Sequence, residues 1–306
     1  MKNNSTQKSI PYPPDFNPDV KKTTNFHEKF YSGIFLNDVD LFISNDKFKI
    51  KLENKDDELE EKIVTSLEDE LRYPKDDLDG VLKDFIKTCA SNILYFNECD
   101  YEIVFTDNNS FNFAKIPFNT LKNENGKKYQ VIHDEIVDEM DLSNNKIELE
   151  YDKIISFKAP KEYNIQEIMK KLFIISNLKN RKDWVFFTDA NRQNKPSIEY
   201  LRYLEKVAVA NVTKDIGWNF RIEFTTEEFF LDHYYYHRFL LFQKFLTIFR
   251  ESIIEEFNHA LNIICKEVGF SNKIIIEGIT LDVVDNIINE YEEGKIEYNK
   301  ITSIFF

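Results

Sequence analysis

The side chains best placed to do chemistry in this sequence are two carboxylates one residue apart, Asp38 and Asp40, in the string Asn37-Asp38-Val39-Asp40-Leu41-Phe42-Ile43. On a strand, alternate residues share a face, and two carboxylates on one face can hold Mg²⁺ for nucleotidyl transfer. The pattern is incomplete. Enzymes of that type carry Gly-Ser on a preceding helix, whereas here the order is Ser32-Gly33 at a short gap, and a third carboxylate would have to come from Glu102, Glu148 or Glu150. The sequence favours an acidic turn leading into a strand. His233 and His237 stand one helical turn apart, and Glu256 with His259 has the spacing of di-iron bundles, but the second pair and the inward Glu residues such a site needs are missing. The run from Asp232 to Arg238 reads as amphipathic side chains at a packing interface, with buried rings and wet polar tips. No Ser or Cys sits in a Gly-flanked elbow, and Glu148 to Lys153 holds its residues out of the order a metal-dependent nuclease uses. These residues predict no enzyme, no metal and no cofactor.

The composition narrows the classes further. In 306 residues, 42% are hydrophobic, 31% charged and 15% aromatic, enough to bury a sizeable core in one large or two modest domains. Forty Lys and Arg against 54 Asp and Glu give a net charge of −14, so the surface as a whole repels polyanions and any DNA contact must be local or loose. Only 7 glycines leave no phosphate cradle of the dinucleotide or P-loop kind. Cys89, Cys99 and Cys265 are an odd, scattered set, which predicts a reducing compartment and no disulfide frame or structural zinc. No apolar run approaches a membrane span, and Met1 to Phe16 lacks the apolar stretch of a signal peptide. A soluble protein made in a cytoplasm is expected, with no membrane partner.

The elements that would carry these residues can be read from periodicity. Pro11, Pro13, Pro14 and Pro18 keep residues 1–24 from forming a helix, predicting an extended arm. Apolar residues at spacings of three and four predict an amphipathic helix from Asp56 to Arg72 and a second from Leu78 to Phe96. From Tyr101 to Lys158 the period becomes two, with turns at Asp107-Asn108-Asn109, Asn125-Gly126 and Asn144-Asn145, which predicts an antiparallel meander. Helical spacing returns at Ile165 to Ile175. A short strand-like piece, Trp184 to Thr188, and a polar loop ending at Lys195-Pro196 follow, and then a helix over 197–216. Thr225 and Glu228 form a capping box that opens some forty unbroken helical residues to Val268, spanning on the order of 60 Å. Its apolar stripe, including Tyr234, Phe245 and Phe249, is wide enough to predict burial on more than one side, by the chain itself or by neighbouring copies. A strand at Ile274 to Glu277 and a helix at Leu281 to Glu292 complete the chain.

Over roughly residues 55 to 300, this order resembles that of tailed-bacteriophage portal proteins, the head-tail connectors. The resemblance is carried by the helix Leu82 to Phe96 before the strand Cys99-Asp100-Tyr101-Glu102-Ile103-Val104-Phe105, and by the strand Tyr151 to Phe157 before a helix. Trp184 to Asn191, the helix opening at Pro196-Ser197-Ile198-Glu199-Tyr200, the block from Phe224 to Leu261, and Glu293-Gly294-Lys295-Ile296-Glu297-Tyr298-Asn299 carry the remainder. It implies an α+β, portal-like fold: a flexible arm (1–24), a wing of helices and antiparallel strands (25–160), stem helix 1 (161–183), a clip (184–196), stem helix 2 (197–216), a tunnel loop with a very long channel helix (217–270), and a reduced crown (271–306).

The resemblance further implies a homo-oligomeric ring, commonly of twelve copies, at one capsid vertex of the virion. Double-stranded DNA would pass through it non-specifically during packaging and ejection, and the terminase motor, the tail adaptor and the major capsid protein would be partners. Asp189, Asn191, Arg192, Gln193, Asn194 and Lys195 would dock motor and adaptor, and Lys214, Asn219 and Arg221 would belong to the channel or its loop. Tyr234, Phe245 and Phe249 would face a neighbouring subunit. A net charge of −14 fits a conduit along which DNA slides, because a wall of Lys and Arg would hold phosphates. Two other classes share the composition: a non-enzymatic interaction or regulatory protein, and a nucleotidyltransferase using Asp38 and Asp40.

Overall fold

The computed structural model describes residues 8–11, 30–68, 77–106, 110–139, 144–178, 206–218 and 231–305. The chain mixes helices with antiparallel sheets, as an α+β protein does. In order the elements are α1 (Phe30–Ile43), β1 (Phe48–Leu52), α2 (Asp57–Ser66), α3 (Leu78–Phe96), β2 (Glu98–Phe105), β3 (Phe111–Ile116), β4 (Leu121–Glu124), β5 (Lys127–Val131) and α4 (Asp134–Glu139). There follow β6 (Lys146–Leu149), a 3₁₀ turn (Tyr151–Lys153), β7 (Ile154–Lys158), α5 (Ile165–Leu178), α6 (206–212), α7 (Leu231–Val268), β8 (Ile274–Gly278), α8 (Leu281–Glu292) and α9 (Tyr298–Phe305). They fall into two compact units, and α7 contributes its residues to 248 to one and those from 249 to the other.

The first unit, Met1–Pro18, Ile43–Pro160 and Phe249–Thr280, holds every described strand. The strands make three antiparallel sheets: β1 with β8, β3-β2-β7, and β4-β5-β6. Helix starts follow side-chain capping: Asp56 accepts from the Leu59 N–H at 3.1 Å and Asp77 from the Gly80 N–H at 2.5 Å, each satisfying a donor that the first helical turn leaves free. Asn97, left-handed at φ 74°, ends α3 and lets the chain turn at once into β2. Phe85 of α3 is the centre of the core, its ring 5.4 Å from Tyr101 and Phe157, 6.1 Å from Phe113 and 5.5 Å from Phe257 of α7. Each such ring contributes roughly 1.5–3 kcal/mol by burial. Arg250 of α7, fully buried, donates to the Ile279 carbonyl at 2.7 Å and lies 4.1 Å over the Phe48 ring, tying the helix to β1 and to the turn after β8.

The second unit, Asp19–Phe42, Lys161–Ile248 and Leu281–Phe306, holds helices joined by turns among its described residues. Phe35 of α1 packs on Trp218, Phe242 and Phe245 at 5.1, 6.1 and 5.9 Å, and Tyr163 stacks edge-on against Phe245 at 5.0 Å. Ile165, Met169, Leu172 and Ile175 give α5 one buried stripe. Tyr236 of α7 stacks flat on Tyr298 of α9 at 4.5 Å, and Lys244 pairs with Asp285 of α8 at 2.7 Å.

Three expectations change. Residues 37–43 are the end of α1, not a strand: Tyr31, Phe35, Val39 and Phe42 recur at helical spacing and are all buried. On a helix Asp38 and Asp40 point about 200° apart, so the shared carboxylate face that a nucleotidyltransferase needs does not exist. The expected meander is two sheets, because β7 returns to β2 instead of continuing from β6. The helix expected over 197–216 ends at 212, followed by a turn over 213–217. α1, β1, β4, α4 and α9 were not anticipated.

Between the two three-stranded sheets the Asp100 carboxyl is buried, and burial pushes it up to about 6, against the pull of Ser156, Lys158 and Lys128 and with Glu98 adding to the rise. An acid whose folded value lies above its unfolded value of 3.8 stabilises the fold at low pH and loses that contribution as pH rises through 6. In Asp100→Asn the titration is gone, so the stability gained over wild type should grow by about 1–3 kcal/mol between pH 4 and pH 7.5. Urea midpoints at the two pH values check this, and a gap that does not change with pH would mean that Asp100 is not held in its neutral form.

Candidate functional site

Among the sequence candidates, Asp189, Asn191, Arg192, Gln193, Asn194, Lys195, Asn219 and Arg221 lie outside the described residues, as do Thr225, Glu228 and the strand-like piece 184–188. Lys214 stands exposed in the turn after α6. Tyr234 is 46% exposed near the start of α7. Phe245 and Phe249, expected to face a neighbouring copy, are instead buried within the chain at 0% and 1% exposure. From 238 to 254, α7 lacks full burial only at Leu241, Lys244, Ile248, Glu251 and Ser252, one narrow line at spacings of three and four. The wide apolar stripe is therefore covered by the chain's own packing.

What the second unit builds with care is the turn at 213–218, which precedes the segment assigned to the tunnel loop. Arg238 of α7, almost fully buried, reaches into it. Its Nη2 donates to the Trp218 carbonyl at 2.5 Å and to the Thr213 carbonyl and Oγ1 at 3.3 Å, and its Nη1 donates to the Ala210 carbonyl at 3.3 Å and to the Tyr234 hydroxyl at 3.0 Å. Ala210 and Thr213 are where α6 runs out of partners for its last carbonyls, so the guanidinium supplies the missing donors and a positive charge at the negative end of the helix. Thr213 Oγ1 donates back to the Val209 carbonyl at 2.9 Å. Gly217 has φ +67°, and a Cβ there would collide with the Arg238 carbonyl oxygen and the Leu241 side chain. The turn lies flat on α7 for want of that atom.

Trp218 closes the arrangement. Its indole N–H donates to the Asp38 carboxylate at 3.0 Å, and its ring meets Phe35 edge-on. Asp38 is thus engaged as an acceptor inside a core, and no reacting atom approaches it. Sequence reading placed Arg238 only at the end of an amphipathic run and passed over Trp218. The available signals were a glycine just past a helix end and two arginines within an aromatic helix. The histidine candidates separate as well: Glu256 and His259 lie on the exposed side of α7, and among the described residues no group of three His, Cys, Asp or Glu side chains is arranged to hold a metal ion. Cys89, Cys99 and Cys265 are free and buried. No described helix is long and apolar enough to cross a membrane.

The arrangement positions a chain segment. Compared with known proteins, the chain matches no protein-family model, and no curated protein is significantly similar to it.

Arg238→Met should cost about 2–4 kcal/mol, because buried carbonyls of α6 and the turn lose a charged donor. Lys214→Glu, on the exposed rim of the same turn, should stay within about 0.5 kcal/mol of wild type. Urea unfolding of both variants checks the pair, and equal midpoints would remove Arg238 as the clamp.

Proposed function

We propose that the chain is the subunit of a portal-type ring through which double-stranded DNA is packaged and ejected. The observation that carries the reading is the order along the chain: a helix, α5, then the described part of a second helix, α6, then a clamped turn, and 38 uninterrupted residues of α7. At 1.5 Å per residue that helix is about 57 Å long, more than the packing of an ordinary domain requires. A portal's stem pair, tunnel loop and channel helix follow the same order. The turn held by Arg238 then acts as the fixed base of the loop, and it presents Lys214 at the point where the chain leaves towards Asn219 and Arg221.

In this reading the segment 189–195 docks the terminase motor and later the tail adaptor, the first unit is the wing facing the major capsid protein, and the assembled ring resides in the virion. The strongly negative net charge lets DNA slide without being held. Ring closure needs two different faces on each subunit. With Phe245 and Phe249 buried in the chain, contacts fall to exposed groups such as Tyr234 and Tyr235.

Negative-stain imaging and sizing of the purified protein test the reading. Closed rings of hundreds of kilodaltons are expected, against 36.5 kDa for one chain. Tyr235→Asp should lower ring yield while leaving the unfolding free energy within about 1 kcal/mol of wild type. A protein that remains a single chain at every concentration and salt would overturn the portal reading in favour of an interaction module.

A further inference from the structure

Four residues near the start of the chain are held in the first unit by an unusual pair of buried side chains. Glu102 of β2, nearly inaccessible, points its carboxylate at two successive main-chain N–H groups: Lys8 at 3.2 and 3.1 Å and Ser9 at 2.8 Å. Gln130 of β5, 0% exposed, accepts from the Ile10 N–H and donates to the Ile10 carbonyl, each at 2.7 Å. An amide side chain that closes both bonds to one residue copies what a neighbouring strand would do. Lys8 adds its ammonium to Glu150 at 2.7 Å; the Glu150 carboxylate raises the Lys8 value, and the Lys153 and Lys8 ammoniums lower that of Glu150.

The slot therefore reads the main chain of this segment, with Ser9 buried in it and the Lys8 cation on Glu150. Emptied, it would leave a carboxylate and an amide buried with three main-chain donors and one acceptor gone, so an occupant is required. Residues 12–29 connect this segment to α1; fully extended, a chain of that length reaches about 60 Å, so its length does not tie the segment to the neighbourhood of its own α1. Nothing in the slot tells a chain's own arm from an identical one beside it.

We propose that Glu102, Gln130 and Glu150 form a docking slot for an extended N-terminal segment and that in the assembly the segment is supplied by a second copy of this chain, tying neighbours together. The proposal needs copies side by side but does not depend on a DNA-conducting role.

Two full-length variants test it when co-expressed and co-purified. Lys8→Arg keeps the charge but removes the amine that a carbodiimide joins to a carboxylate, and Glu150→Gln removes the carboxylate. A Lys8–Glu150 amide found by mass spectrometry in the mixed sample can form only between copies. The expected result is that this cross-link appears in wild type and in the mixture, in neither variant alone, and falls several-fold when the Lys8→Arg chain also carries Gln130→Leu. If assembled particles give the cross-link in wild type and none in the mixture, the arm docks only on its own body and the exchange is wrong. If wild type gives none, the slot itself is wrong. Sizing of the same sample keeps the two readings apart, because a sample of single chains refutes assembly, while an assembled sample without the mixed cross-link refutes only the exchange.

Discussion

From 238 to 254, α7 is enclosed on nearly all sides, and the two arginines it carries inward there need partners, a requirement that organises what surrounds it. Arg238 and Arg250 are both buried on α7, and each finds backbone carbonyls on another part of its own unit. Arg238 fixes the turn after α6. Arg250, with its guanidinium pushed down to about 10 by burial, remains charged at neutral pH and fixes the turn after β8. An unsatisfied buried guanidinium would cost several kcal/mol, so the places where α7 meets its surroundings are dictated by these two cations as much as by its aromatic rings.

The same constraint explains what was legible in the sequence. α8 and the strand at 111–116 were readable because one face of each is more buried than the other, whereas the strand at 98–105, buried on both faces from 99 to 103, was readable from its aromatic and β-branched residues. Residues 37–43 were misread because Val39, Leu41 and Ile43 alternate as a strand would; only the longer pattern back to Tyr31 and Phe35 reveals the helix. The width of the stripe on α7 was read correctly, but one chain's sequence does not say whether the covering surface is its own or a neighbour's. Here the chain supplies it to Phe245 and Phe249.

The clamp and the arm slot were invisible for a different reason. Arg238 with Trp218, Trp218 with Asp38, and Glu102 with Lys8 and Ser9 join residues 20, 180 and about a hundred positions apart. No periodicity encodes such pairs. Asp38 drew attention as an acid, and its role proves to be that of a hydrogen-bond acceptor for an indole. Glu102 was considered as a third metal ligand, and it binds main-chain N–H groups. Both acids serve as acceptors for donors of their own chain.

The account turns on α7 being covered by its own chain. Hydrogen exchange followed by mass spectrometry measures this directly, on dissociated subunits and on assembled particles side by side. If the chain itself buries the helix, amides between 240 and 254 should exchange only with global unfolding in both states, with equal protection. Amides there that exchange quickly in single subunits and become protected only on assembly would show that neighbours cover the helix, and would contradict the account.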